Sequence, residues 1–400
     1  MSTPRFDPVS PPSAAFHRGP ETVAAYLLLA LLTSGYGMIG PLMPFLRSEL
    51  GLSYTQGSYH TVALSLGTTL TGLLGVSIVR AIGRRGAVRT ILLLMVSGLL
   101  LVCSARVLSS SLAGAVLLGG SIALAVSVVP AVLAERHPAH LGMAMAEANV
   151  IAYLGIFIVP GLVSLSDGVI GWRWSFFLPV LGYAAFWLAM RRLDFGTPAP
   201  RPAAGGSAAL PFAYWCHWLF LALSVAVEFT MVVWGASYLE SAAGMPRDLA
   251  LLSSMIFPVG VIVGRLAGVV LLRRVDAAML ALPALLLATL GVVLFVLVRN
   301  PLAASIGLFL AGLGIANCYP VGITLAMFAA PGARDAASAR ASLASGLASL
   351  IAPLAVGAIA DRSGMAVAFG LIPVLLVLAG VVHLAGLSAS RRAARVASQP

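Results

Sequence analysis

Apolar runs long enough to cross a bilayer recur along the chain at about 22–46, 56–79, 88–107, 111–134, 141–165, 173–192, 212–239, 249–272, 276–298, 302–328, 337–360 and 365–387. About 20 apolar helical residues bridge the roughly 30 Å hydrocarbon core, so each run reads as one crossing. The pattern predicts an all-α membrane protein with twelve transmembrane helices in two six-helix halves. The run Phe212 to Leu239 stands apart because it carries Glu228 near its middle. A carboxylate at that depth costs about 2.5 kcal/mol or more, and such groups face a bundle interior or a watery cavity. At 100° per residue His217, Ser224 and Glu228 (i, i+7, i+11) share a stripe that Gly235 continues, which predicts a polar face lining a solute path.

Composition agrees: 60% hydrophobic residues, 9% charged residues and a mean hydropathy of +1.02 exclude a water-soluble enzyme. A net charge of +11 would suggest nucleic acid in a soluble protein, but here the basic residues report topology, and no nucleic-acid partner is expected. All 24 are Arg, a bias that points to a GC-rich bacterial genome. Placing the termini and the 80–89, 135–140, 191–211, 265–276 and 329–340 connections on one side collects 18 of the 24 there. With an even number of crossings, that asymmetry puts both termini in the cytoplasm of a bacterial inner membrane. The first run lacks a small-residue cleavage site and is expected to be a retained span.

The expected organisation is a disordered cytoplasmic tail (1–21), a six-helix bundle (22–192), a Pro-, Ala- and Gly-rich cytoplasmic linker (193–211), a second six-helix bundle (212–387) and a cytoplasmic tail (388–400). Cys103, Cys216 and Cys318 lie in apolar runs without metal-ligand spacing and read as small hydrophobes. No Gly-Lys-Ser phosphate loop, zinc constellation or nucleophile constellation occurs, so no ATP hydrolysis, metal, cofactor or enzymatic activity is expected.

The halves echo each other at an offset near 193 residues: Gly67, Gly75 and Arg80 recur with identical spacing as Gly260, Gly268 and Arg273. Pro160 recurs as Pro353, and Asp167 as Asp361 with one residue of slippage. Four such coincidences in order favour a duplicated fold. Parallel halves joined by a cytoplasmic linker are the architecture of rocking secondary transporters with a site between the halves.

The segments GLLGVSIVRAIGRRG (72–86), GRLAGVVLLRR (264–274) and PLAVGAIADRSG (353–364) carry a resemblance to the major facilitator superfamily that extends over about residues 22–387. The first segment is similar to the family's G-x-x-x-D-R-x-G-R-R loop but has Val79 or Arg80 at the acidic position, so the gating carboxylate usual there is missing. The seventh run, VEFTMVVWGASYL, followed by Gly264-Arg265, is similar to the fucose and hexose proton-symporter branch. The fifth-span drug-exporter signature survives only as Gly155 and Pro160, with Ala146, Val159 and Val163 at other glycine positions. That counts against a multidrug antiporter.

Glu228 is the candidate proton-coupling residue, because desolvation makes a carboxyl switchable near neutral pH, and the alternative is a permanently paired structural acid. Glu147 and Arg265 each lie roughly 10 Å inside the cytoplasmic face at 1.5 Å per residue. The resemblance implies that their helices are neighbours across the cleft, so they are expected to pair as a cytoplasmic gate that closes when the cavity faces outward and separates when it faces inward, unless they merely snorkel apart. Asn149 with Tyr153 (i, i+4), Trp234, Ser224, Tyr36, His60, Asn317 and Tyr319 are candidate substrate-binding residues, offering amides and stacking planes to a polar solute. Trp234, with Tyr238, could equally belong to an interfacial aromatic belt, and the others could satisfy helix kinks. His217 is expected to anchor at the headgroups and His383 to be peripheral. The glycines of the second and eighth runs suit either sliding or static packing.

The expectation is a secondary active transporter that takes up a small polar solute, sugar-like or an organic metabolite, with protons by alternating access. It should work as a monomer in the lipid bilayer, with small-molecule substrate and protons as its partners. The alternatives are a proton-driven exporter of a drug or amphipathic metabolite and, from another class, a transport-dead membrane receptor.

Overall fold

The computed structural model describes residues 16–137, 140–193, 195, 210–271, 275–297, 300–330 and 334–397. The described residues form fifteen α-helices and one short 3-10 helix, making twelve passes. The first half holds α1 (Pro20–Gly37), α2 (Ile39–Leu50), α3 (Tyr54–Cys103), α4 (Leu108–Arg136), α5 (Leu141–Val169), the 3-10 helix Trp172–Phe176 and α6 (Phe177–Met190). The second half holds α7 (Phe212–Ser241), α8 (Arg247–Ser254), α9 (Ile256–Leu271), α10 (Ala277–Leu297), α11 (Pro301–Ile315), α12 (Cys318–Phe328), α13 (Arg334–Ser363), α14 (Met365–Phe369) and α15 (Leu371–Ala397). Among the described residues ten segments are long and apolar enough to cross a membrane unaided. The first arm of α3, rich in Ser and Thr, and the 14-residue α6 complete the twelve passes.

Proline explains why four passes are broken in two. The breaks fall at Met38, Met255, Ala316–Asn317 and Gly370, and Pro41, Pro258, Pro320 and Pro373 follow each within four residues. A proline has no N–H to return to the carbonyl four residues earlier, and its ring crowds that carbonyl, so the ladder opens there. The second and third runs behave in the opposite way. They join into one proline-free helix of 50 residues whose backbone leaves helical geometry at Gly83 (φ 70°, ψ 166°), a left-handed conformation that glycine adopts without Cβ strain. Ser53 and Gln56 start this helix with a reciprocal capping box.

Small residues set the packing within each half. Gly67 meets the Val116 carbonyl and Gly75 the Ser127 side chain, both on α4, while Gly260 and Gly264 lie against the Phe309 and Leu313 carbonyls of α11. These stripes therefore serve static contacts inside each half, not sliding contacts between halves.

Described residues extend into both expected tails. Phe16 rests 4.7 Å from the His137 ring, and α15 continues to Ala397, past the expected boundary at 387, because Ser388 to Arg392 prolong the helix with polar residues. The end of the bundle that carries the termini is called the terminal end below, and the opposite one the far end.

Candidate functional site

Glu228 lies midway along α7 and is 8% exposed. Its Oε1 accepts from the hydroxyl of Tyr153, a residue of α5 in the other half. The same hydroxyl accepts from Nη2 of Arg265 on α9 at 2.8 Å, and that nitrogen sits 3.8 Å from Glu228 Oε1. The guanidinium carbon lies 4.0 Å from the Tyr153 ring centroid, so the ring face covers the cation. An acid, a phenol and a guanidinium thus form one cluster across the boundary between halves, at the depth where unpaired charge is most costly. Arg265 Nε is buried without an acceptor among the described residues.

Beside the cluster is a cavity of about 60 Å³ lined by Tyr36, Gly37, Tyr153, Ile156, Glu228, Phe229, Val232, Phe257 and Pro258. Tyr36 from α1 meets Phe229 from α7 edge to face with centroids 6.4 Å apart. Tyr319 of α12 belongs to an apolar cluster with Val225, Ala226 and the cavity-lining Phe229, and lies within electrostatic reach of Tyr153.

The other expected site residues go elsewhere. His60 is fully buried between α3 and α4, with Nε2 2.9 Å from Ser111 Oγ and Nδ1 3.0 Å from the Gly57 carbonyl. Both ring nitrogens are committed inside the first half, so His60 does not line the cavity. Ser224 returns its hydroxyl to the Phe220 carbonyl of its own helix at 2.8 Å. Asn317 donates to the Gly264 carbonyl at 2.7 Å, which ties the α11/α12 break to α9 one residue before Arg265. Asn149 is exposed and donates to the Met145 carbonyl of its own helix at 2.8 Å.

The expectations for the α7 stripe and for His383 are corrected. The polar stripe of α7 does not line a path, because the helix is buried nearly all round: His217 packs 6.3 Å from His383 of α15, and both are fully buried instead of interfacial or peripheral. Glu147 and Arg265 are apart in this conformation, as expected of the pair when the cavity faces inward. The Glu147 carboxylate is forked by Arg18 (2.9 Å to Nε, 2.6 Å to Nη2) and accepts from Tyr26 at 3.2 Å. A two-pronged guanidinium in the same half satisfies the acid while the cleft holds its distant partner away. The Glu147 hydrogen bond also holds the Arg18 guanidinium above its ordinary pKa.

The contacts between halves lie toward the far end. Asp361 of α13 accepts from the backbone N–H groups of Tyr54 (2.6 Å) and Thr55 (2.8 Å), the first residues of α3. There a carboxylate meets unpaired donors and the positive end of the helix dipole. The Pro353 carbonyl accepts from Ser58 Oγ at 2.9 Å and from Trp234 Nε1 at 3.0 Å, which places Trp234 in a buried seal and outside the cavity and any interfacial belt. A Cβ on Gly357 would come within 2.8 Å of the Tyr54 carbonyl, and one on Gly40 within 2.5 Å of the Val232 carbonyl, so the halves touch backbone to backbone. Arg247 of α8 stacks 4.9 Å over Phe45 of α2. In the sequence Asp361 and Gly357 stand in the 353–364 segment that carries the family resemblance, and Asp361 is also the repeat mate of Asp167, but nothing there marks either as a contact between halves.

A family model described as Major Facilitator Superfamily matches residues 25–334. The chain is 26% identical over 375 residues to an uncharacterised MFS-type transporter of Yersinia pestis, covering 87% of this chain and 91% of that one. Among solved structures it is similar to a bacterial homologue of the human lysosomal transporter Spinster in an inward-facing, unoccupied conformation (16% identity, TM-score 0.73, 95% and 98% covered). It is also similar to a peptide transporter in complex with alafosfalin (16% identity, TM-score 0.76, 95% and 97% covered) and to a D-xylose-proton symporter (16% identity, TM-score 0.68, 90% and 96% covered).

Proposed function

The chain belongs to the major facilitator superfamily, and on that footing we propose that it imports a small polar solute together with protons by alternating access. One observation carries the reading: a mid-membrane acid, Glu228, is bonded to the opposite half through Tyr153. Rocking the halves must change that bond, so the acid has different proton affinities in the two conformations. Such a difference is what lets a proton gradient bias an equilibrium, since equal affinity would shift nothing. Protonation removes the negative charge that Arg265 and Tyr153 share, and so loosens the centre of the interface for the loaded carrier.

The closed far end and the Arg distribution together support a state open to the cytoplasm, with both termini on that side. For a carrier that moves solute and proton together, an inward proton gradient drives uptake. The exchange Glu228→Gln tests the reading in proteoliposomes with an imposed pH gradient. Gradient-driven accumulation is expected to disappear while substrate-for-substrate exchange persists. Accumulation at the wild-type level would reject proton coupling through Glu228, and outward pumping driven by the same gradient would reject import.

A further inference from the structure

Arg265 points to the class of solute, an inference that rests on the transport reading above. We infer that the solute is a small monocarboxylate with an apolar body, held by Arg265 once Glu228 takes up a proton.

The titratable groups around Glu228 among the described residues come from four helices: Tyr36 from α1, Tyr153 from α5, Arg265 from α9, and from α12 Cys318, within electrostatic reach of the acid, and Tyr319, within reach of Tyr153. Arg265 is the one permanent cation among them, because a guanidinium does not deprotonate in proteins. While Glu228 is ionised, the pair is neutral. When Glu228 accepts a proton from the open side, the cation loses its counter-charge in a low-dielectric setting, which is strongly unfavourable. A neutral sugar leaves that charge uncompensated, whereas a carboxylate entering with the proton restores neutrality. The loaded and empty sites then carry the same net charge.

The guanidinium is shaped for this exchange. Its face lies on the Tyr153 ring, one edge is turned to Tyr153 and Glu228 through Nη2, and buried Nε has no acceptor among the described residues. The open approach is therefore in the plane of the fork, where Arg binds carboxylates through two parallel hydrogen bonds. The adjoining cavity supplies Tyr36, Phe229, Phe257 and Pro258, a mostly apolar wall beside one charged end. That combination suits a short aliphatic or aromatic acid better than a polyol.

Thermal melting of the purified full-length protein with matched probes tests the inference: benzoate, butyrate and lactate against benzamide, butyramide and lactamide. At least one carboxylate should raise the melting temperature in a saturable way while its amide does not. Arg265→Gln should abolish that shift, and Arg265→Lys, which keeps the charge but loses the planar fork, should weaken binding by about tenfold if one charge-assisted hydrogen bond is lost. Glu228→Gln, which mimics the protonated acid, should bind the carboxylate more tightly and without the pH dependence of the wild type, a change that a purely structural arginine would not produce. Amides that bind as well as acids, carboxylate binding that survives Arg265→Gln, or a panel in which no carboxylate binds Glu228→Gln would overturn the inference. A neutral solute accumulated with protons through Glu228 would remove the carboxylate and leave proton-coupled import standing. Carboxylate binding without gradient-driven uptake would do the reverse.

Discussion

The two ends of the bundle are fastened by different kinds of bond. At the far end, beside the within-half pairs Glu49–Arg173 and Glu240–Arg247, bonds join the halves and involve backbone: Asp361 to the first N–H groups of α3, and Ser58 and Trp234 to the Pro353 carbonyl. At the terminal end the bonds from Arg18 to Glu147, Thr22 to His137 and Arg84 to Glu135 stay inside the first half, and that from Trp218 to the Arg340 carbonyl stays inside the second. Bonds within a half survive any tilt of that half, whereas bonds between halves exist in one tilt only. The conformational equilibrium is therefore set by the far-end bonds between halves, and the terminal-end bonds set the integrity of each bundle.

Perturbations at the two ends should separate accordingly. The largest effect is expected from Gly357→Leu, whose side chain must occupy the space held by the Tyr54 backbone and Ser58. Overpacking costs about 1–3 kcal/mol, enough to shift the balance about fivefold to 150-fold toward an open far end. Spin-label distances between Ser53 and Arg362 would report the opening, and an unchanged distribution would contradict the seal. Asp361→Asn removes the charge from an exposed cap and should shift the same equilibrium by about 1 kcal/mol, roughly fivefold. Trp234→Phe loses one hydrogen bond of about 1 kcal/mol while keeping the ring, so its effect on the same distances should equal or fall just below that of Asp361→Asn. Smallest is Glu147→Gln: an exposed ion pair contributes about 0–1 kcal/mol, so far-end distances should not change and only thermal stability should fall slightly. A large change in far-end distances in that variant would break the distinction between the two ends.

The passes were legible because each needs its own continuous apolar run, a property of neighbours in sequence. Glu228 was legible for the same reason, since its cost arises from the oil around it whatever its partner. The partner was not. Tyr153 shares a helical face with Asn149 and so reads as half of a polar pair, although the two side chains diverge and only Tyr153 reaches the acid. Arg265 was read at a depth matching Glu147, but its neighbours in this conformation, Tyr153 and Glu228, were not read, because depth orders residues along the bilayer normal and says nothing of which acid stands opposite. His60 and Asn317 look functional in a linear reading because polar atoms in apolar runs are expensive. Each proves to be satisfied by a carbonyl or hydroxyl brought close by folding. Gly357 lies among many glycines and alanines, and its role depends on a strand of backbone some 300 positions earlier in the chain.

The unbroken course of α3 has a mechanical corollary. Its first arm starts at Tyr54, in the grip of Asp361, and runs without a proline to Gly83 at the opposite membrane face, about 43 Å away at 1.5 Å per residue. Such a rod cannot buckle midway as the proline-broken passes can, so it behaves as a see-saw: when its upper tip is let go and swings outward, its lower tip must swing in. One release at Asp361 would therefore be felt on both faces of the membrane at once, with no relay of intervening side chains.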